Sequence, residues 1–347
     1  MLAISASQRI NLQDAQIILQ IEAVRAEQQR YSYRTYHIKK IDYYESMDSF
    51  SIEGNLACAV ERRDVRVKLC SSHARHIEPT LERSILAEWA TQLAAHPRMF
   101  NGRKFRFGRV AARESGEKGA AFELGLTDYR SMVGTNMSSR WREIEAKDPT
   151  LLANPVGNAA VVETADGCVL LLKRSTSLLE APGMWVFPGG HAEPKDAGID
   201  AWGDGEVAAH EAAREVARAA GDDGEDDVER RVGDELFASI RREVVEEIGV
   251  RDEDLCVAGD PPHVFIGVSR RTQGCRYTTA FVMSCARSSS EILARYATPG
   301  CAVDAYESSG IIAVPIAELA TRAASLEMPG CHRGVLELYM RYRAAHR

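Results

Sequence analysis

Three glutamates near position 245 are the residues whose types and spacing best suit them to chemistry. They lie in the run Arg242-Glu-Val-Val-Glu-Glu-Ile-Gly-Val250. At about 100° per residue, a helix gathers Glu243, Glu246 and Glu247 into one arc of about 100°. Phe237, Ile240, Val244 and Ile248 fall on the neighbouring arc and are expected to face the core. The carboxylates therefore belong at the border of the packed interior. Two like charges ~4 Å apart repel by about 4 kcal/mol at an effective dielectric near 20. A bound divalent cation reverses that sign. All-oxygen ligation suits Mg2+, with Mn2+ as a substitute, and such an ion shares its shell with water and substrate phosphates. Three glutamates alone also fit a solvated acidic face, where each like-charge pair costs only about 0.2–0.5 kcal/mol.

The wider pattern favours the metal. Arg242 to Val250 resembles the Nudix signature Arg-Glu-U-x-Glu-Glu-x-Gly-U (U aliphatic) at every specified position. Upstream, Trp185-Val-Phe-Pro-Gly-Gly190 resembles the strand and Gly-Gly loop that precede this helix in Nudix hydrolases. Three further runs are Leu124–Asn136, Glu180-Ala-Pro-Gly183 and Pro188-Gly-Gly-His-Ala-Glu-Pro194. Together they are similar to the UDP-glucose/UDP-galactose hydrolase branch, which carries an extra N-terminal module and an enlarged loop. The resemblance covers roughly residues 50–345. It implies a Nudix fold, with a mixed sheet between helices, and Mg2+-dependent cleavage of a UDP-sugar to UMP and the sugar 1-phosphate. Other outcomes stay open at this point: an ADP-ribose or ADP-sugar hydrolase, or a sugar-nucleotide sensor that binds without turnover.

The resemblance also distributes roles. Glu243, Glu246 and Glu247 are the expected metal ligands, and Arg242 is expected to orient a glutamate through a charge-assisted hydrogen bond. Glu307, on a late loop, is a candidate base or ligand. Arg174 and Arg270, each at a strand end, are phosphate candidates. Gly189, Gly190 and His191, with Glu193, are expected to line the sugar or metal site. Tyr129, Arg130, Thr135 and Asn136 offer an aromatic face and polar groups to a uracil edge. One departure is large: Gly190 and Arg242 lie 242 − 190 = 52 positions apart. The family's glutamate eight positions before the Arg would fall at Asp234, with Glu235 beside it. A long insertion costs little, because loop-closure entropy grows only logarithmically. A rival register at Glu206…Arg214-Glu215 keeps the usual spacing but puts Arg218 and Ala219 where the paired glutamates belong.

These groups need elements to hold them. The chain reads as α/β (α+β), with a partly ordered extension over 1–47 and an N-terminal α/β module over 48–150. The catalytic domain follows over 151–347, with an insertion at about 195–233. Strand-like runs occur at 56–60, 65–69, 104–107, 121–126, 156–162, 168–173, 184–187, 264–268, 277–285 and 310–314. Asp166-Gly167 marks a hairpin. Helices are predicted over about 80–95, over 235–248 with Gly249 as its cap, and within 331–345. Gly221-Asp-Asp-Gly-Glu-Asp-Asp227 reads as a mobile acidic loop.

Composition excludes other classes. Of 347 residues, 43 are basic and 50 acidic, a net charge of −7, which argues against gripping nucleic acid through its phosphates. No run approaches the roughly 18 apolar residues of a membrane span. There is no secretory signal pattern, and none of the eight cysteines forms a Cys-x-x-Cys pair, so reduced thiols in a cytoplasmic setting are expected. The only expected partner is a small nucleotide-sugar substrate; oligomeric state is left open.

Overall fold

The run from Val156 to Glu163 is almost wholly apolar and buried on both faces, the pattern of a central strand. The computed structural model describes residues 49–54, 59–113, 119–222, 224–255, 263–302 and 305–346. The extension over 1–47, most of the run 56–60, Cys58 and Cys256 lie outside them.

In chain order the strands are β1 (Phe50–Glu53), β2 (Val65–Leu69), β3 (Arg103–Ala112), β4 (Ala120–Asp128), β5 (Val156–Glu163), β6 (Cys168–Arg174), β7 (Trp185–Val186), β8 (Val264–Arg271), β9 (Arg276–Ser284) and β10 (Ser308–Pro315). The α-helices are α1 (Pro79–Ala95), α2 (Tyr129–Gly134), α3 (Trp141–Lys147), α4 (Asp204–Ala219), α5 (Asp227–Ile248), α6 (Ser289–Tyr296), α7 (Leu319–Ala324) and α8 (Gly330–Ala345). A mixed sheet runs β1-β8-β9-β5-β6-β10, with β7 also paired to β6. A second sheet, β2-β4-β3, has a parallel β2–β4 pair and an antiparallel β3–β4 pair.

Alternation along the central strands sorts the core into two layers. Val156, Ala160, Val162, Leu170 and Leu172 pack with α5 and the smaller sheet. Ala159, Val161, Val169 and Leu171 pack with α8 through Val335, Leu338 and Tyr339. The larger sheet is thus sandwiched between α5 and α8. The expected inward stripe of α5 is buried: Phe237, Ile240, Val244 and Ile248. Each contributes about 1.5–3 kcal/mol by leaving water.

β5 and β6 pair only at their hairpin end, Glu163 with Val169. Beyond that point they part, and the segment around β7 fills the gap. Val186 pairs with Leu172, while Ala160 and Asn158 donate their N–H groups to the carbonyls of Pro188 and Gly190 at 2.8 and 2.9 Å. The Gly-Gly loop is therefore held within the sheet.

Two expectations are corrected here. α5 starts at Asp227, eight residues before the expected start, capped by the Asp226 side chain accepting from Glu229 N–H. Gly233 disguised that turn. A Cβ there would lie 2.5 Å from Arg62 Nη2, and Arg62 donates to the Arg230 carbonyl, so the glycine makes room for a cross-chain arginine. The inserted stretch also contains α4, with only Val207 and Arg214 buried.

Candidate active site

The extended loop 189–193 lies along α5, and four of its N–H groups are taken by side chains. Gly189 donates to Glu247 Oε2 at 2.8 Å, Gly190 to Asn158 Oδ1 at 2.7 Å, His191 to Glu243 Oε1 at 3.3 Å and Glu193 to Glu235 Oε1 at 3.1 Å. Geometry explains the first part of this register. Four helical residues rise about 6 Å, close to the ~6.6 Å of two extended residues. Glu247 and Glu243 therefore meet Gly189 and His191. Asn158 is itself fixed by donating to Ser239 Oγ at 3.0 Å.

Burial sets the electrostatics. It pushes the Glu247 carboxyl up to about 8, against the Gly189 N–H, and the charges of Glu243 and Glu307 add to the rise. Glu243 goes up to about 7 by burial, with Glu246 and Glu307 adding to it and Lys104 opposing. Glu246 is half-buried on the same helix. Gly190 leaves this corner open: a Cβ there would sit 2.0 Å from Glu243 Oε1. Carboxylates whose charges repel one another beside a glycine-lined opening suit a hard divalent cation. The donor set thus accommodates Mg2+, with Glu243, Glu246 and Glu247 as the residues that would hold it.

Arg242 reaches Glu235, a glutamate outside the metal trio. Its Nη2 lies 2.7 and 2.9 Å from the two oxygens of Glu235, and 3.1 Å from Asp196. Glu235 is buried, whereas Asp234 is half-exposed and pairs with Arg62. The arginine and Glu235, seven residues apart, fasten the loop end at Glu193.

Of the metal trio, Glu243 borders a cavity of about 430 Å³ whose wall also includes Gly189, Gly190, His191, Arg174 and Glu307. The smaller sheet and its helices add Lys104, Tyr129 and Met132. The far wall carries an ion group built on Glu180, a residue of the Glu180-Ala-Pro-Gly183 run with no role assigned from sequence. Glu180 Oε1 binds Arg276 Nε at 2.9 Å and Arg271 Nη2 at 3.2 Å. Burial alone would raise the Glu180 carboxyl, but Arg276, Arg271 and Arg174 together hold it down at about 2. Arg276 also donates to His191 Nε2 at 3.1 Å. Burial, then Lys104 and Arg276, holds His191 well below the usual histidine range, so its ring is neutral and accepts. His332 is likewise neutral, pushed by burial to about 3. Its Nδ1 accepts from Phe187 N–H at 3.1 Å, leaving Nε2 to carry the proton.

Four expected substrate residues are placed elsewhere. Thr135 and Asn136 are buried, and their groups are used internally. Thr135 Oγ1 donates to the Ser131 carbonyl at 2.6 Å, and Asn136 donates to Gly274 O at 2.8 Å and to Asn154 Oδ1 at 3.0 Å. Arg130 pairs with Asp128 at 3.5 Å and does not line the cavity. Arg270 turns to Glu145 and lies over the Tyr277 ring, 5.7 Å from its centroid; its neighbour Arg271 faces the cavity instead. The rival register falls on α4, where Glu215 is exposed.

No protein-family model matches the chain. Relatives do. Nudix hydrolase 9 of Arabidopsis thaliana is 35% identical over 290 residues, covering 79% of this chain and 85% of that protein. The human uridine diphosphate glucose pyrophosphatase NUDT22 is 30% identical over 263 residues, covering 73% and 78%. Its bovine counterpart is 31% identical over 267 residues, covering 73% and 81%. The chain belongs to the Nudix hydrolase family. Solved structures match more loosely: a NUDIX hydrolase from Alicyclobacillus acidocaldarius, 21% identical, covers 54% of this chain and 90% of that one at a TM-score of 0.31, too distant a likeness to carry weight.

Proposed function

We propose that this Nudix hydrolase cleaves the pyrophosphate of UDP-glucose or UDP-galactose, giving UMP and the sugar 1-phosphate, with Mg2+ held by Glu243, Glu246 and Glu247. The observation that carries the reading is one cavity with Glu243 and Glu307 at one end, backed by the buried Glu247, and the Arg271–Arg276–Glu180 group at the other. A pyrophosphate brings about two negative charges into a space lined by glutamates, so a cation is needed there. When bound, Mg2+ would neutralise phosphate oxygens and acidify a water. The named activity of the NUDT22 relatives supports uridine as the base.

The chain's own residues position and protonate. Glu247 and Glu243 are held at fixed places by loop N–H groups, with Glu243 on the cavity wall and Glu247 one helical turn behind it against Gly189. Glu307, whose carbonyl accepts from Ser175 N–H at 2.7 Å, brings a further carboxylate to the rim as a base or ligand. Arg174 donates to the Glu180 carbonyl at 2.9 Å and keeps further N–H groups for a phosphate. His332 offers an Nε2–H donor that stays neutral. Tyr129 presents a half-buried ring for stacking on a base. Arg242 acts through Glu235 as a positioning residue.

The test is a panel of UDP-, ADP- and GDP-sugars and ADP-ribose, run with Mg2+ or with chelator, with products identified. UMP and sugar 1-phosphate appear only with the metal. Release of AMP without UMP overturns the uridine assignment. Tight binding of UDP-glucose with no product, unchanged in Glu247→Gln, replaces the enzyme with a sensor.

A further inference from the structure

A second set of ligand-type side chains lies away from the cavity just described. Cys70, His73 and Glu123 each place one ligand atom within 4.8 Å of the other two. Cys70 follows β2 and extends its ladder by donating its N–H to the Leu124 carbonyl at 2.8 Å. His73 ends the turn Ser71–His73, and Glu123 lies on β4. The turn therefore brings the thiol and the imidazole back over the neighbouring strand.

The histidine is unusually well fixed. Its Nε2 is 3.0 Å from Glu123 Oε2, while Glu123 Oε1 takes Arg109 at 2.9 Å. Its ring lies directly on Gly108, where a Cβ would come within 2.2 Å of Cδ2. Gly108 sits at the register shift between Phe107 and Arg109 in β3. The His73 carbonyl accepts from Arg106 at 2.8 Å and lies over Gly125, where a Cβ would meet it at 2.3 Å. A bulge and two glycines in adjacent strands thus hold one imidazole at one carboxylate oxygen. That is more construction than a surface ion pair worth about 0–1 kcal/mol needs.

The surroundings hold the insertion helix. Glu211 of α4 accepts from Ser71 N–H at 2.9 Å and from Ser71 Oγ at 2.6 Å. Cys70, Glu123 and Glu211 line a cavity of about 230 Å³, along with Arg214 and Arg218. We propose that Cys70, His73 and Glu123 bind a zinc ion, with its fourth position open to this cavity, and that the site stiffens the turn on which α4 docks. One thiolate, one imidazole and one carboxylate are a borderline-soft donor set of the kind zinc takes, and Mg2+ has no preference for it. The two ligand charges balance the dication, so little net charge is buried. Binding expels the thiol proton, and the imidazole proton moves to Nδ1 so that Nε2 can ligate.

Cobalt(II) titrated into the full chain, with excess Mg2+ present to hold the carboxylate site, tests this. One equivalent should give a thiolate-to-cobalt charge-transfer band that zinc abolishes. The band should vanish in Cys70→Ser, weaken at least tenfold in affinity in His73→Gln, and survive in Glu247→Gln. Zinc should raise the melting temperature of the native chain but not of Cys70→Ser. No band, or a band that persists in both Cys70→Ser and His73→Gln, overturns the site. If Cys70→Ser fails to fold, His73→Gln, which keeps the thiol, decides alone.

Discussion

At the scale of single residues, Glu247 carries the most. It is buried and raised to about 8, and it accepts one loop N–H at 2.8 Å. A glutamine has the same shape and can still accept from Gly189, so the loop should stay in place. What it loses is the charge. Glu247→Gln should lower kcat by at least about 100-fold, the scale of losing a key electrostatic group. The melting temperature without metal should hold or rise, because the fold no longer has to keep a buried carboxyl protonated at a pH where the unfolded chain ionises it. Steady-state rates and thermal melts on the same preparation check both halves; near-normal turnover removes Glu247 from the mechanism. Strand geometry also explains why Arg271, and not the expected Arg270, reaches the cavity. Arg270 and Arg271 adjoin at the end of β8, and successive strand residues face opposite ways. A one-residue uncertainty in register exchanges the arginine of the cavity for that of Tyr277 and Glu145.

At the scale of elements, the site is a loop laid along a helix, and its two glycines serve different needs. A Cβ on Gly189 would meet backbone, 2.2 Å from Asn158 O and 2.8 Å from Ala159 Cα, so the sheet itself would have to move. The atoms nearest a Cβ on Gly190 all belong to the Glu243 carboxylate, the end of a flexible side chain. Gly189→Ala should therefore cost about 1–3 kcal/mol of stability, as overpacking does. Gly190→Ala should fold nearly as well but displace Glu243 and lose about 100-fold in rate, the penalty of a misplaced group. Denaturant melts and kcat separate them, and equal effects on both quantities would refute the distinction. Most strands were legible because apolar runs and turn residues are local signals. The Glu243–Glu247 cluster was legible because one helix turn carries it all. What was not legible depends on partners far along the chain. Glu235 emerges only once Arg242 and Glu193 are seen to converge on it. The Glu180 group needs three segments brought together, and the first turns of α5 were hidden by a glycine whose reason is Arg62.

At the scale of the whole molecule, the buried titratable groups tie stability to pH and metal. His191 and His332 are neutral in the fold, far below the ordinary value of 6.5, so the unfolded chain binds more protons than the fold as pH drops under 6.5. Their contribution to stability therefore grows as pH rises to that value and then levels off. Glu180, held at about 2, contributes stability above 4.5 that is lost on acidification. Glu243 and Glu247 act oppositely. Their folded values of about 7 and 8 exceed the ordinary 4.5, so the fold retains protons that the unfolded chain has released. Stability falls with rising pH wherever the fold binds more protons. Between pH 6.5 and about 8 the histidines are silent and only the glutamates act, so without metal the melting temperature should decline across that window. Mg2+ binds the ionised carboxylates and competes with protons, so its stabilisation should be small at pH 6.5 and grow up to about 8. Thermal melts with chelator and with Mg2+ should therefore diverge as pH rises, and Glu243→Gln with Glu247→Gln should abolish the divergence. Parallel curves across that interval would mean that these carboxylates neither hold protons in the fold nor exchange them for the metal.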